Sequence, residues 1–440
     1  MKTPPSRWTP NRRAFLKTVT AVGTAVSSVE IPLLARAQNV GIELSVGLIG
    51  VGVRGYELHE DLRRCKGVRV GGIADLSEHY FDRIKSRLQN PQTPLRYDYR
   101  RLLDDREIDA IIIAAPDHWH APMTLDALAA GKDVYVEKPL TYSLQEAIQV
   151  RDKARETGRV TQVGYQRRSI EHFYRAREIV RSGILGEITQ IQLWSSRNRA
   201  TSPWRKYNDY NTEGLPAKSA AEHVDWPRFQ ANRPPRPYDP LRFFHWQCYE
   251  EYSTGIFGIL MSHPLDAANL VMDLSVPDIC AATGGVYRYK DGRTVPDICN
   301  ALFNYPSRDL TVSFIGSSNN EYFSQEAQYR GTHGTLELTT SGLRVFAEKR
   351  NALFEKFVGR TATDRSSNLR STPVFEQPAK SGSSTLAHLE NFFDSVRSRG
   401  QCKAPVNEGF KAMVAVAMAI QSYKTQRTVR WDSGREAILG

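Results

Sequence analysis

The sequence predicts an α/β protein of two domains, a parallel sheet wrapped by helices and then a mostly antiparallel sheet. Three observations carry that reading. The apolar, β-branched run Leu44–Ile49 ends directly in Gly50–Val51–Gly52–Val53–Arg54–Gly55, and an amphipathic segment follows from Tyr56. From Ser45 to about Thr161 apolar strands alternate with helical segments, as a parallel sheet with crossover helices requires. Beyond Thr283 short β-like runs follow one another with turns between them. The length of 440 residues exceeds the usual size of one domain. A composition 40% apolar and 24% charged describes a soluble globular chain, and no run approaches the ~20 apolar residues of a stable membrane anchor.

Residues 1–37 stand apart from the fold. Asn11–Arg12–Arg13–Ala14–Phe15–Leu16–Lys17 is a twin-arginine pattern, Thr18–Val29 is mildly apolar, and Ala35–Arg36–Ala37 has the form of a cleavage site. A twin-arginine signal peptide is therefore expected, with a periplasmic or secreted mature chain and no anchor after cleavage. The segment holds six Lys/Arg and one Glu, so the formal charge of the remainder is +6 rather than +11. That moderate charge, with no dense basic run interleaved with aromatics, argues against nucleic acid as a partner. Because this export route carries folded proteins, any cofactor is expected to be loaded in the cytoplasm and held tightly. Five scattered cysteines are too few for a disulfide framework. They read as buried thiols, although the Pro-Asp-Ile-Cys repeat can set Cys280 and Cys299 on neighbouring strands. No C-x-x-C or H-E-x-x-H pattern calls for a metal.

The G-x-G-x-x-G turn stands between a strand and a helix, where it has a physical meaning. Gly50 permits the tight turn, Gly52 lets backbone approach a pyrophosphate, and Gly55 lets helix pack on strand. The helix start, with Val51, Val53 and Arg54, offers N–H groups and a positive dipole end to phosphates. A second strand, Val68–Ala74, ends in Asp75, 20 residues after Gly55. A carboxylate there accepts a ribose 2′-OH and repels a 2′-phosphate, so NAD is favoured over NADP. The run Ile108–Ala115 reads as a strand buried on both faces, ending at Pro116–Asp117–His118–Trp119–His120. Asp133–Val136 is the next strand, with Glu137–Lys138–Pro139 at its carboxyl end, and Val160–Val163 follows, ending near Tyr165.

The second half begins with a helix, Glu171–Ser182, and an alternating strand, Ile188–Trp194. An irregular insert rich in aromatics, Pro and Arg covers about 197–250. Gly255–Met272 reads as helix. Thr283–Tyr289, Cys299–Tyr305, Leu310–Gly316, Glu326–Gly331, Thr335–Leu338 and Leu343–Ala347 read as strands, Ser366–Ser384 as a polar loop, and Leu386–Ser398 and Asn407–Lys424 as helices.

Taken together, G-x-G-x-x-G, an acid after the second strand, A-A-P-x-x-x-H, A-G-K-x-V-x-x-E-K-P and a later His in a glycine-led helix resemble the Gfo/Idh/MocA family. The resemblance runs through most of the chain after the signal and is strongest over 45–190. It implies an NAD-binding Rossmann domain over 42–168 and a substrate and oligomerisation α/β domain with an open, mostly antiparallel sheet over 169–385. Helices in 386–440 are expected to pack back on the body. It also implies NAD(P), a sugar, cyclitol or derivative as substrate, and a homo-oligomer, dimer or tetramer.

Lys138 is the first candidate for chemistry, as the acid/base that takes the hydroxyl proton while hydride leaves carbon. Glu137 beside it tunes or holds it. His263 is the second candidate, but the family's Asp-x-x-x-His pattern has Ile259 in place of the acid, and Glu250 or Glu251 is weighed as a substitute. Pro116, His118, His120 and Glu137 are expected along the cofactor, with His120 at the family's motif position. Tyr165, Arg167, Trp204, Arg205 and Tyr252 are expected with His263 around the substrate, since aromatic faces and guanidinium forks suit sugars and carboxylates. Three readings remain: a sugar oxidoreductase, a redox-cycling NAD-dependent glycosidase of the kind some relatives resemble, and a nucleotide-dependent binding or sensing protein.

Overall fold

The computed structural model describes residues 43–198, 204, 218, 220–348 and 373–440. The expected export signal (residues 1–37) and Arg205 lie outside them. Six parallel strands form the first sheet: β1 (Leu44–Ile49), β2 (Val68–Ala74), β3 (Leu95–Arg96), β4 (Ala110–Ile113), β5 (Asp133–Val136) and β6 (Thr161–Val163). Their order is β3-β2-β1-β4-β5-β6. Every residue of β1, β4 and β5 is buried, which is why these strands are mostly apolar and do not alternate. The chain reverses its direction of strand addition between β1 and β4, and the crevice at their carboxyl ends is where such sheets bind ligands.

Helix α1 (Val53–Leu62) leaves β1 through the glycine turn, α2 (Glu78–Lys85) follows β2, and α3 (Asp117–Ala129) follows β4. Helix α4 (Leu144–Thr157) starts in a capping box of Ser143 with Glu146 and stops at Gly158, whose φ is +62°. Helix α5 (Glu171–Arg181) leads into the second domain.

The second sheet comprises β7 (Ile188–Asn198), β8 (Ile279–Gly285), β9 (Ile298–Tyr305), β10 (Leu310–Ser317), β11 (Asn319–Gly331), β12 (Gly334–Thr339), β13 (Gly342–Ala347), β14 (Phe375–Pro378), β15 (Val429–Asp432) and β16 (Ala437–Leu439). All its pairings are antiparallel except β7 with β10. Burial alternates along β9, β10 and β12, so one face is covered. The other carries exposed Leu302 and Ile315.

Three expectations are corrected here. Strand β8 lies earlier than Thr283–Tyr289, because the Asp297 carboxylate takes the N–H groups of Tyr287, Arg288 and Tyr289 at 2.8–3.0 Å and folds them into a loop. The segment expected to be plain helix from Gly255 contains a π-helical turn, Phe257–Met261, before α6 (Ser262–Met272). The C-terminal stretch is not helices alone. After α7 (Ser384–Ser398) and α8 (Val406–Thr425), β15 pairs with β8 and completes the second sheet. Part of the expected polar loop falls outside the described residues, and Phe375–Pro378 within it is strand.

These last helices join the two domains. The Gln162 amide donates to His388 O at 2.8 Å, and the His388 ring meets Val163 O at 2.9 Å and Ser169 Oγ at 2.8 Å. Arg168 reaches Asp266 on α6 at 2.8 Å and Glu408 on α8 at 2.8 Å. Cys280 and Cys299 do sit on adjacent strands, but Cys280 faces Phe303 and Cys299 faces Gly284, and all five cysteines are buried free thiols.

Candidate active site

A cavity of about 480 Å³ opens at the carboxyl ends of β1, β4 and β5 and is closed on the far side by the 257–263 segment. Its first wall is the glycine turn. Gly50 has φ +85°, and a Cβ there lies 2.6 Å from Ala114 O. A Cβ on Gly55 lies 1.8 Å from Gly50 O, so no side chain fits between turn and helix. At Gly52 the nearest atom to an added Cβ is in the Tyr80 ring, 3.8 Å away. Open space is kept there, above the N-terminus of α1, where no side chain caps the helix. This cradle fits the pyrophosphate of a nicotinamide dinucleotide. Asp75 lines the same cavity, and its carboxylate accepts Val51 N at 2.7 Å, Leu76 N at 2.7 Å and Ser77 N at 3.1 Å. Expected as the acceptor of a ribose hydroxyl, it also braces the glycine turn, and burial raises it to about 6.

Pro116 and His120 also line the cavity. The His120 ring spans Pro139 O at 2.6 Å and Ala115 O at 2.9 Å, tying the ends of β4 and β5 together. His118 does not reach the cavity, contrary to expectation. Its ring bonds Phe229 O at 2.7 Å and packs among Phe229, Tyr252 and Trp119, where burial lowers it to about 3 and keeps it neutral. Tyr252 is corrected with it. It is 1% exposed and belongs to the aromatic core that pins the insert to α3.

Glu137 and Lys138 stand at the end of β5, and the peptide after Lys138 is cis. The Glu137 carboxylate is buried and accepts Arg54 Nε at 2.8 Å and Lys138 N at 3.2 Å. The Lys138 amine turns the other way and donates to Ile259 O at 2.9 Å. That carbonyl belongs to the π turn. A π register directs it to the amide five residues on, which is Pro264, and proline has no N–H. Where the family pattern supplies an acid, this chain supplies a backbone oxygen. Burial, partly offset by Glu137 and Asp117, lowers the amine to about 8.

His263 lines the cavity beside Lys138. Burial, together with Lys138, Arg167, Arg54 and Arg197, holds the imidazole well below its usual range, and it is neutral. Tyr165 lies behind it, edge-on with ring centres 6.0 Å apart, and does not line the cavity as was expected. Arg167 and Trp204 line the cavity. Glu250 and Glu251 do not replace the missing acid: Glu250 pairs with Lys424, and Glu251 with Arg236 and Arg242. The acid nearest in role is Asp117, which the sequence reading passed over. Its carboxylate accepts the Thr254 N–H at 2.8 Å and hydroxyl at 2.6 Å. Its place directly after Pro116, at a strand's carboxyl end, was the available signal. Among the described residues no cluster of His, Cys, Asp or Glu is arranged to hold a metal ion.

A glycine-turn cradle, an acid after the second strand and a half-buried lysine facing one cavity define a nicotinamide-dinucleotide-binding protein of the oxidoreductase type. The chain belongs to the Gfo/Idh/MocA family: residues 44–165 match its model for an oxidoreductase family NAD-binding Rossmann fold, and 177–430 its C-terminal alpha/beta domain. An α-N-acetylgalactosaminidase of Shewanella oneidensis is 30% identical over 249 residues, 47% of this chain and 53% of that protein. A glycosyl hydrolase family 109 protein of Shewanella sp. strain ANA-3 is 31% identical over the same shares. The chain spans about half the length of the curated relatives it matches. Among solved structures, an aldose-aldose oxidoreductase from Caulobacter crescentus aligns with TM-score 0.65 at 17% identity, over 88% of this chain and 99% of that one. A levoglucosan dehydrogenase in complex with NADH aligns with TM-score 0.65 at 15% identity, over 88% and 98%. At these identities the likeness is one of fold.

Proposed function

We propose that the protein oxidises a secondary hydroxyl of a sugar, cyclitol or sugar derivative, with Lys138 as acid/base and NAD, tightly held, as hydride acceptor. The observation that carries this reading is the half-buried Lys138 amine at the cavity wall, held by Ile259 O beside a neutral His263 and lowered to about 8. A bound nicotinamide supplies the electrophilic carbon that receives hydride. The chain does the rest. The glycine turn and the start of α1 hold phosphates, Asp75 meets the adenosine ribose, Lys138 removes the hydroxyl proton, and His263 shares a hydrogen bond with the same oxygen. Arg167 and Trp204 orient the ring. Export through a twin-arginine signal and assembly into a homo-oligomer belong to the same proposal.

A second reading is favoured by one specific observation, the two glycosidase relatives. With a nicotinamide bound, transient oxidation of a ring carbon would acidify the neighbouring C–H, elimination would expel the aglycone as its alcohol, water would add to the resulting double bond, and the returning hydride would leave no net reduced cofactor. Purified protein with free sugars and aryl glycosides, with and without added NAD, separates the readings. Net NADH from free sugars supports the first, and aryl-glycoside cleavage without net NADH the second. Silence beside tight NAD binding makes the protein a nucleotide-dependent binder.

Two outcomes follow from the site. A lysine base acts only when neutral. The rate of oxidation by the free enzyme is therefore expected to rise tenfold per pH unit below about 8 and level off above it. The reverse reduction, which needs the ammonium, is level below about 8 and falls above it. A profile flat from pH 6 to 9 removes Lys138 from the proton step. For the cofactor, Asp75→Ala is expected to weaken NAD and narrow its advantage over NADP, measured by fluorescence titration. Part of the loss comes from the Val51 N–H left without its acceptor. Tight NADP binding by the unaltered protein overturns the NAD preference.

A further inference from the structure

Arg54 occupies the glycine motif, where the backbone alone is expected to matter, yet its guanidinium connects three segments. Nε donates to Glu137 Oε1 at 2.8 Å, one terminal nitrogen to Glu57 Oε2 at 3.0 Å, and the other to Thr385 Oγ1 on α7 at 3.3 Å. A Cβ placed on Gly164 lies 2.8 Å from the Glu137 carboxyl carbon, so the carboxylate is packed against bare backbone on its far side. Its neighbour in sequence, Lys138, points its amine to Ile259 O instead of to that carboxylate. Two adjacent residues of opposite charge, both drawn from water, would otherwise pair with each other.

We propose that Arg54 is a positioning residue for Lys138: by clamping Glu137 against Gly164 it withholds the carboxylate from the amine and leaves the amine turned toward the cavity. The inference rests on the reading of Lys138 as acid/base. The charged and titratable groups around the amine are Glu137 on its own strand end, Asp117 from α3, Arg54 from α1, Arg197 from the end of β7, and the neutral His263 from α6. Glu137 and Asp117 favour the ammonium; Arg54 and Arg197 oppose it. Loss of Arg54 removes one opposing charge and frees the carboxylate, and both changes retain the proton on Lys138.

The test is a titration of Lys138 itself in the free protein. Lysines are tagged by reductive methylation with ¹³C-formaldehyde, and the Lys138 resonance is identified by its loss in Lys138→Arg. Arg54→Met keeps the apolar stem without the charge and is expected to raise the midpoint by about one pH unit. Arg54→Lys restores most of it. Glu137→Gln is expected to move the midpoint the opposite way, a sign that loosened packing does not give. The acid limb of the rate profile shifts with the NMR midpoint wherever turnover is measurable. An Arg54→Met midpoint equal to that of the unaltered protein, or a Glu137→Gln shift in the same upward direction, overturns the proposal. Should Arg54→Met fail to fold, the sign of the Glu137→Gln shift decides. Because the resonance needs no substrate, absence of turnover on every sugar defeats the proposed activity and leaves this result standing.

Discussion

Lys138→Ala is expected to lower turnover by ~10²–10⁴-fold, the usual cost of removing a positioned general base. Dinucleotide binding should persist, because the phosphate cradle at Gly50–Gly55 lies on another strand end and the Lys138 amine donates to Ile259 O rather than to that turn. His263→Ala is expected to cost less. The imidazole is held neutral by burial and by four surrounding cations, so it is suited to sharing a hydrogen bond and poorly suited to carrying a proton. Steady-state rates of both variants, beside calorimetric titration with NAD, make the comparison. Full activity in Lys138→Ala with a dead His263→Ala reverses the assignment of roles.

Gly55→Ala is expected to destroy dinucleotide binding and to lower the melting temperature. The added Cβ lies 1.8 Å from Gly50 O, a backbone atom that cannot rotate aside, so helix and turn must separate. Overpacking of this kind typically costs 1–3 kcal/mol or more. Gly52→Ala provides the contrast. Its Cβ meets only the Tyr80 ring, at 3.8 Å, so the protein is expected to fold with little change in stability and still to lose NAD affinity. The reason is that the methyl occupies space the pyrophosphate needs. Thermal melts and binding titrations of the two variants separate the structural glycine from the ligand-facing one. A Gly52→Ala protein with unchanged affinity would show that phosphate does not approach the turn there.

Much of the site was legible in the sequence because it is built from local rules. The strand–glycine turn–helix order, the acid closing β2 and the apolar runs of β4 and β5 each depend on a few adjacent residues. Glu137 and Lys138 fell at a strand's carboxyl end, and that position alone delivers them to the crevice. Helices were placed within a few residues, as with α5, α7 and α8. His118 and Tyr252 went the other way. Both look like site residues in the text, yet an aromatic core between α3 and the insert absorbs them.

By itself, then, the sequence determined two domains, a dinucleotide cradle and a lysine at the cavity. Spacing along one strand or helix is enough to place those groups. Only the tertiary structure decided what stands opposite the lysine. Ile259 reads as the loss of an acid, but the π turn and Pro264 present its carbonyl to Lys138. The Arg54–Glu137 clamp joins residues 83 positions apart, and Arg168 links α6 to α8 through Asp266 and Glu408. Such contacts depend on where whole elements dock. Docking is set by burial of large apolar faces, which fixes the neighbours of a polar group without any trace in its local sequence.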